Sequence, residues 1–174
     1  PERWRVSPTD LHLALAPHAK PAQSSTREML ARIADDSSPD APVRRSAHLL
    51  HVDTQQVRVV LDLRRGLTIR SLAFAPLGEL PIIGTIAHGH YDEVSLAADF
   101  YTGHTVIEFP GASRVTDLSP VDPICHSVTG ADGERIRISA VASTPLGPVT
   151  KTIDVFRQVA KLRLRFDFDF IWDL

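Results

Sequence analysis

One stretch of the sequence, from Gly84 to His104, combines side chain types that can bind or transform a polar ligand. Histidines, carboxylates and tyrosines are crowded there among turn-forming glycines. Aromatic rings can stack on the C–H faces of a sugar, and carboxylates and imidazoles can bind its hydroxyl groups, as the few placed polar groups of a small-molecule site do. We therefore predict a carbohydrate-binding loop with the candidate contacts His88, His90, Tyr91, Asp92, Asp99, Tyr101 and His104.

Two other kinds of chemistry are open to the same stretch. His88 and His90 would point both rings to one side of an extended backbone, but the set matches no metal-ligand spacing such as His-Glu-x-x-His, so we predict no metal and no cofactor. Acid–base catalysis needs two groups with separated pKa values, and glycoside hydrolysis usually needs two carboxylates at a defined separation. The carboxylates available are Asp92, Glu93, Asp99 and Glu108, whose separation the sequence leaves open. The catalytic residues stay unknown, and the aromatic residues could instead anchor the loop onto a sheet.

Short segments with alternating apolar residues precede and follow this stretch, and such segments are typical of antiparallel strands that hold a loop at both ends. Apolar side chains at every second position from Val57 to Leu63 share one face, with Asp62 expected on the other. Gly66 offers a tight turn into a second strand ending at Phe74. These segments predict an all-β fold, an antiparallel β-sandwich.

The strongest alternation lies near the end of the chain, from Leu162 to Trp172. We expect its apolar face to supply much of the core. Its charged face is expected to pair with neighbours such as Lys151 or Asp154.

The first 42 residues differ in composition from the rest of the chain, because proline, alanine and serine are frequent there. We predict a linker-like extension over residues 1–42 and a sandwich domain over residues 43–174. Ser25 and Glu28 form a capping box, and Met29, Leu30 and Ile33 would then share one face of a short helix. Because the chain starts without methionine and stops after a strand pattern, we expect a fragment of a longer protein.

Composition limits the partners and the compartment. A formal net charge of −2, from 19 basic and 21 acidic side chains, argues against nucleic acid as a partner. No apolar run reaches the ~20 residues of a bilayer span, so no membrane association is predicted. The single cysteine, Cys125, rules out an internal disulfide and suits a reducing compartment, which leads us to expect a cytoplasmic protein.

Three segments also carry a resemblance to a known family. The hairpin from Leu61 to Phe74, the strand from Gly147 to Phe156 and the strand from Leu162 to Trp172 resemble the β-supersandwich domains, similar to galactose mutarotase, that follow the catalytic domain in α-mannosidase-type and family 57-type glycoside hydrolases. The resemblance implies a supersandwich-like domain that packs beside a sugar-cleaving domain and lends a loop to its substrate cleft. Its implied partners are a carbohydrate and the neighbouring domain of the full-length chain.

Three functions therefore follow from the sequence. The first is an accessory, carbohydrate-associated domain of a larger glycoside hydrolase, which we expect to be a non-catalytic part of that enzyme. The second is a self-contained mutarotase-like epimerase or lyase, with His90 or His104 as acid and Glu108 or Asp99 as base. The third is a structural module that docks onto another domain or subunit through exposed strands and binds no small ligand.

Overall fold

The computed structural model describes residues 27–31, 33–35, 41–78, 81–84 and 102–170. Within these residues the chain forms strands and two short 3-10 turns, Leu63–Arg65 and Ala75–Leu77. The strands are β1 Arg27–Leu30, β2 Ala34–Asp35, β3 Val43–Ser46, β4 Leu49–Asp53, β5 Val57–Asp62, β6 Thr68–Phe74, β7 Ile83–Gly84, β8 Val106–Ile107, β9 Val115–Thr116, β10 Ile124–Gly130, β11 Gly133–Thr144, β12 Gly147–Phe156 and β13 Leu162–Phe168. No helix in this part of the chain is long and apolar enough to cross a membrane.

The described strands form two large sheets and one small hairpin. One sheet has five strands in the order β1-β10-β11-β12-β13, and the other has six in the order β2-β3-β4-β5-β6-β7. Strands β8 and β9 form the hairpin. Neighbouring strands are antiparallel, except that β2 and β3 run parallel. The predicted all-β, antiparallel class is therefore confirmed.

The core lies between the two large sheets, as in a sandwich. The six-stranded sheet supplies Leu50, Val59 and Leu61, and the five-stranded sheet supplies Ile138 and Ile153, all with no exposed surface. Period-two alternation explains this division, because successive side chains of a strand point to opposite faces of the sheet. Each such side chain contributes about 1.5–3 kcal/mol through burial.

The predicted hairpin is formed by β5 and β6. Gly66 ends the intervening 3-10 turn with a φ of 62°, a left-handed conformation that glycine adopts without steric cost. Asp62, predicted on the face opposite Val57, Val59 and Leu61, is 1% exposed. Its side chain accepts a hydrogen bond from the amide of Arg64 over 2.9 Å and so caps the turn.

The short helix predicted after Ser25 was also wrong over the residues that the structure describes. Arg27–Leu30 is strand β1, which pairs antiparallel with β10. Glu28 does not complete a capping box there, because its carboxylate accepts from Arg137 over 2.6 Å. A helix this short is marginal in water, whereas pairing with a sheet edge satisfies the backbone at once.

Strand β13 confirms the strong alternation but contributes less to the core than we expected. Leu162 and Leu164 pack against the core, whereas Phe168 is 50% exposed. β13 is the last described strand of its sheet, and Phe168 is not among the side chains packed against the core cluster. The predicted continuation through residues 171–174 lies outside the described part of the chain.

Candidate functional site

The predicted carbohydrate-binding loop leaves and rejoins the same strand. On the outgoing side, Ile83 and Gly84 of β7 pair with Leu72 and Ser71 of β6. On the return, the amide of Ile69 donates to the carbonyl of Thr102 over 2.7 Å. The two ends of the loop are thus attached two residues apart along one strand, which closes the loop at its base.

The structure describes only the last of the seven predicted sugar contacts. His104 is half-buried just beyond the point where the loop rejoins β6. The other six lie outside the described residues: His88, His90, Tyr91, Asp92, Asp99 and Tyr101. They stay predictions, and the structure describes only the two ends of the loop that contains them.

A buried lysine fixes the returning end of the loop. Lys151 of β12 is 1% exposed and reaches into the sandwich interior. Its ammonium donates to the carbonyls of Gly66 and Gly103, the latter over 2.8 Å. The same nitrogen lies 2.9 Å from a carboxylate oxygen of Asp117. One side chain therefore connects the β5–β6 turn, the loop return and the segment after β9.

Asp117 completes this anchor from the other side. It is 1% exposed, and its second carboxylate oxygen accepts from the amide of Thr105 over 2.9 Å. The carboxylate thus contacts both the Lys151 ammonium and the backbone two residues beyond Gly103. We call Lys151 and Asp117 the buried anchor, because together they hold residues 103–105 onto the five-stranded sheet.

The electrostatics of the buried anchor favour a structural role. Burial lowers the pKa of Lys151, and the hydrogen bond and charge of Asp117 act in the opposite direction. The ring of Phe166, with its centroid 5.5 Å from the ammonium, adds a cation–π contact. A lysine with a lowered pKa can act as a base or nucleophile, but this one is enclosed and already directed at its acceptors. Its position suits holding the loop base rather than reacting with a substrate.

The anchor was missed at the sequence level, although one signal for it was present. The prediction that Lys151 lies on the charged face of the sheet was wrong, because this side chain is 1% exposed and its ammonium reaches the carbonyl of Gly66. It lies in phase with Val149, Ile153 and Val155, which are all completely buried. Strict alternation would therefore have directed Lys151 inward as well. A lysine in phase with a buried apolar row indicates an internal acceptor, which here is Asp117.

A second group of charges lies on the other face of the same sheet, around Asp154. Its carboxylate, 3% exposed, is 2.8 Å from the Nε of Arg137 and 3.3 Å from the Nε of Arg135. Arg163 approaches to 4.0 Å, so the prediction that the charged face of β13 meets Asp154 is confirmed. The hydrogen bond to Asp154 raises the pKa of Arg137. A carboxylate held by guanidinium groups in this way is a cross-strand pairing device.

Glu108, one of the two predicted bases, gains no support for an acid–base role from its surroundings. Glu108 is exposed and forms an ion pair with Arg114, both side chains being about 60% accessible. Such a pair is an ordinary surface feature. Of the other members of the predicted set, His90 and Asp99 lie outside the described residues, and His104 is half-buried at the loop return.

The described residues include a small surface pocket but no cluster of metal ligands. No group of three or more histidine, cysteine, aspartate or glutamate side chains in this part of the chain could hold a metal ion. A surface pocket of about 190 Å³ lies at the β4–β5 turn and is bordered by Asp53, Gln55, Gln56 and Arg58. It is smaller than the roughly 300 Å³ at which ligand pockets usually begin, and no predicted sugar contact borders it.

Comparisons with protein-family models, with curated proteins and with solved structures found no match to this chain.

Proposed function

We propose that this chain is a carbohydrate-associated β-sandwich domain of a larger glycoside hydrolase, and that the Gly84–His104 loop contacts the sugar. The observation that carries the proposal is the closure of the loop at its base. Both ends are attached to β6, and the return is held by the buried anchor. Fixing both ends of a loop reduces the number of conformations open to it, which lowers the entropy lost when the loop binds a ligand.

The chemistry of the loop fits a neutral polar ligand better than a charged one. Its two tyrosines offer stacking surfaces, and its histidines and carboxylates can accept and donate hydrogen bonds to hydroxyl groups. The near-zero net charge of the chain supplies no field that would select a polyanion. The glycoside hydrolase context comes from the resemblance of the hairpin and the later strands, and it is part of the proposal.

Replacing Asp99 and His104 together by alanine tests the proposal. Calorimetric titration with simple oligosaccharides should show binding by the unaltered chain and none by the double variant. Thermal unfolding should change by less than about 1 kcal/mol, because loop side chains that contact a ligand contribute little to the fold. The matched control replaces Asp122 and His126, an aspartate and a histidine outside the loop, and should bind the sugar normally.

Two results would count against the proposal. An unaltered chain that binds no oligosaccharide would remove the carbohydrate function. A double variant that loses much stability would show that the loop is part of the scaffold. Incubating the purified chain with free sugars separates the accessory domain from the self-contained epimerase or lyase, because only the latter would convert them.

A further inference from the structure

Among the residues that the structure describes, strand β13 is paired along one edge and open along the other. The amide of Asp169 donates to Pro148 over 3.1 Å, and the carbonyl of Lys161 accepts from Phe156 over 3.1 Å. Backbone groups along a strand alternate in direction, so the odd-numbered residues of β13 face β12. The N–H and C=O groups of its even-numbered residues therefore point to the opposite edge. No other described strand pairs there.

The charges along this strand form a sign-reversed palindrome. Two arginines, Arg163 and Arg165, precede the centre of the strand at Phe166, and two aspartates, Asp167 and Asp169, follow it. When two copies of such a strand pair antiparallel about Phe166, each arginine meets an aspartate of the other copy. The facing residues would be Arg163 with Asp169, Leu164 with Phe168, Arg165 with Asp167, and Phe166 with its own counterpart.

The backbone geometry fits this pairing. Even-numbered residues would face even-numbered residues across the contact, so the open N–H and C=O groups would meet as hydrogen-bonded pairs. The charged residues would then occupy the non-hydrogen-bonded positions, where side chains of neighbouring strands come closest. Opposite charges would therefore meet at the positions that strengthen their attraction most.

The charge pattern also selects one register. Moving the centre of symmetry to Arg165 would place that guanidinium against its own counterpart. Moving the centre to Asp167 would place that carboxylate against its own counterpart. Like charges directly opposite one another destabilise a strand pair. A centre between two residues would set open backbone groups against groups already bonded to β12. Of the symmetric pairings near the middle of the strand, only the one about Phe166 is free of these costs.

The apolar face of β13 has surface that this contact would cover. Phe168 is 50% exposed, and its ring stacks against that of Phe166 with centroids 6.2 Å apart and an interplanar angle of 9°. Pairing about Phe166 would bring each Phe168 beside Leu164 of the other copy. We propose that β13 joins two copies of this chain into a two-fold symmetric dimer, with one continuous sheet running through both. This proposal uses a different surface from the Gly84–His104 loop and does not rest on carbohydrate binding.

Charges on an edge strand can also prevent association, and that alternative predicts a monomer. In the single chain, Arg165 and Asp167 already form an exposed ion pair at 2.7 Å. Dimerisation would exchange this contact between neighbours on one strand for a contact between copies. Measurement of the oligomeric state decides between the two readings.

Sedimentation velocity of the purified chain over a range of concentrations should show a dimer. Arg165→Asp alone places carboxylate against carboxylate at both symmetry-related positions, and Asp167→Arg alone places guanidinium against guanidinium. Each variant should weaken dimerisation roughly tenfold or more. The control is Arg58→Asp, since Arg58 is similarly exposed in an ion pair with Asp53 on the other sheet, and this variant should dimerise normally.

Two complementation experiments distinguish a dimer lost through like charges in this register from a dimer lost because a variant does not fold. The double variant Arg165→Asp with Asp167→Arg restores opposite charges throughout and should dimerise again. Mixing the two single variants should give a one-to-one heterodimer, because every facing charge is then opposite, although each chain alone still carries like charges. Circular dichroism of each variant verifies that it is folded.

Three outcomes would overturn the proposal. The unaltered chain could remain a monomer at all concentrations, which would favour the protective role of the edge charges. Both charge reversals could leave the dimer intact, which would place the contact elsewhere. The mixed single variants could also stay monomeric, which would exclude the register about Phe166.

Discussion

Replacing Lys151 by methionine tests the buried anchor most directly. Methionine preserves the length and most of the apolar volume of the side chain and removes the ammonium. The carboxylate of Asp117, 1% exposed, would keep the amide of Thr105 but lose its counter-charge. The carbonyls of Gly66 and Gly103 would lose their donor at the same time.

The expected cost follows from this loss. Removing one partner of a buried ion pair costs about 3–5 kcal/mol, because the remaining charge stays buried without compensation. For a chain of this size that corresponds to a fall in Tm of roughly 10 °C. Asp117→Asn, which leaves the ammonium without its carboxylate, should lose a similar amount. The double variant should lose less than the sum of the two single losses, since no uncompensated charge remains.

Urea unfolding followed by circular dichroism gives the four free energies of this cycle. Arg58→Met is the control: its ion pair with Asp53 is 59% and 45% exposed, so it should lose less than about 1 kcal/mol. Hydrogen exchange at the amide of Thr105 reports the loop return locally and should accelerate in both single variants. A Lys151→Met loss below about 1 kcal/mol, or strictly additive losses in the cycle, would refute the role we give to the pair.

Two further predictions concern the turn at Gly66 and the thiol of Cys125. Gly66→Ala should destabilise the chain by about 1–3 kcal/mol more than Gly111→Ala, measured by urea unfolding. Both glycines have a positive φ, but a Cβ at Gly66 would lie 2.0 Å from the carbonyl oxygen of Asp117, whereas nothing lies within 4 Å at Gly111; equal losses would contradict the close approach. Burial raises the pKa of Cys125 from 9.0 to about 11, so a thiol reagent at pH 8 should react at least about 100-fold more slowly with the folded chain than with the unfolded one. Because the unfolded thiol ionises first, stability should also fall between pH 9 and 11, by about 3 kcal/mol in total, and Cys125→Ala should remove that fall. In this alanine variant the lowered pKa of Lys151 acts the other way: between that pKa and 10.5 the unfolded chain holds more protons, so stability should rise with pH, and a flat profile there would contradict the shift.

Local sequence patterns were sufficient for the strands that pair with close neighbours. The hairpin of β5 and β6 and the alternation from Leu162 to Phe168 are both present in the structure. Each depends on period two and on a turn residue within a short distance along the chain. The fold class followed from these elements together.

The sequence predictions that were wrong share a different cause, which is contact between distant parts of the chain. Residues 27–30 carry a local helix signal, yet they pair with β10 about a hundred residues later. From its neighbours in sequence, Lys151 is predicted to be a surface charge. Only the folded chain brings Asp117 and the carbonyl of Gly103 to its ammonium. The alternation predicts that the inner face of β13 belongs to the core, but its position at the edge of the sheet follows only from the fold.

The sequence alone thus determined the strand period, the turn positions and the reversal of charge sign about Phe166, because these features depend on residues close together along the chain. The choice of which strands lie together, and hence the closed base of the Gly84–His104 loop, came only with the folded chain. Burial and hydrogen bonding between distant segments override weak local preferences, and no short stretch of sequence contains both partners of such a contact.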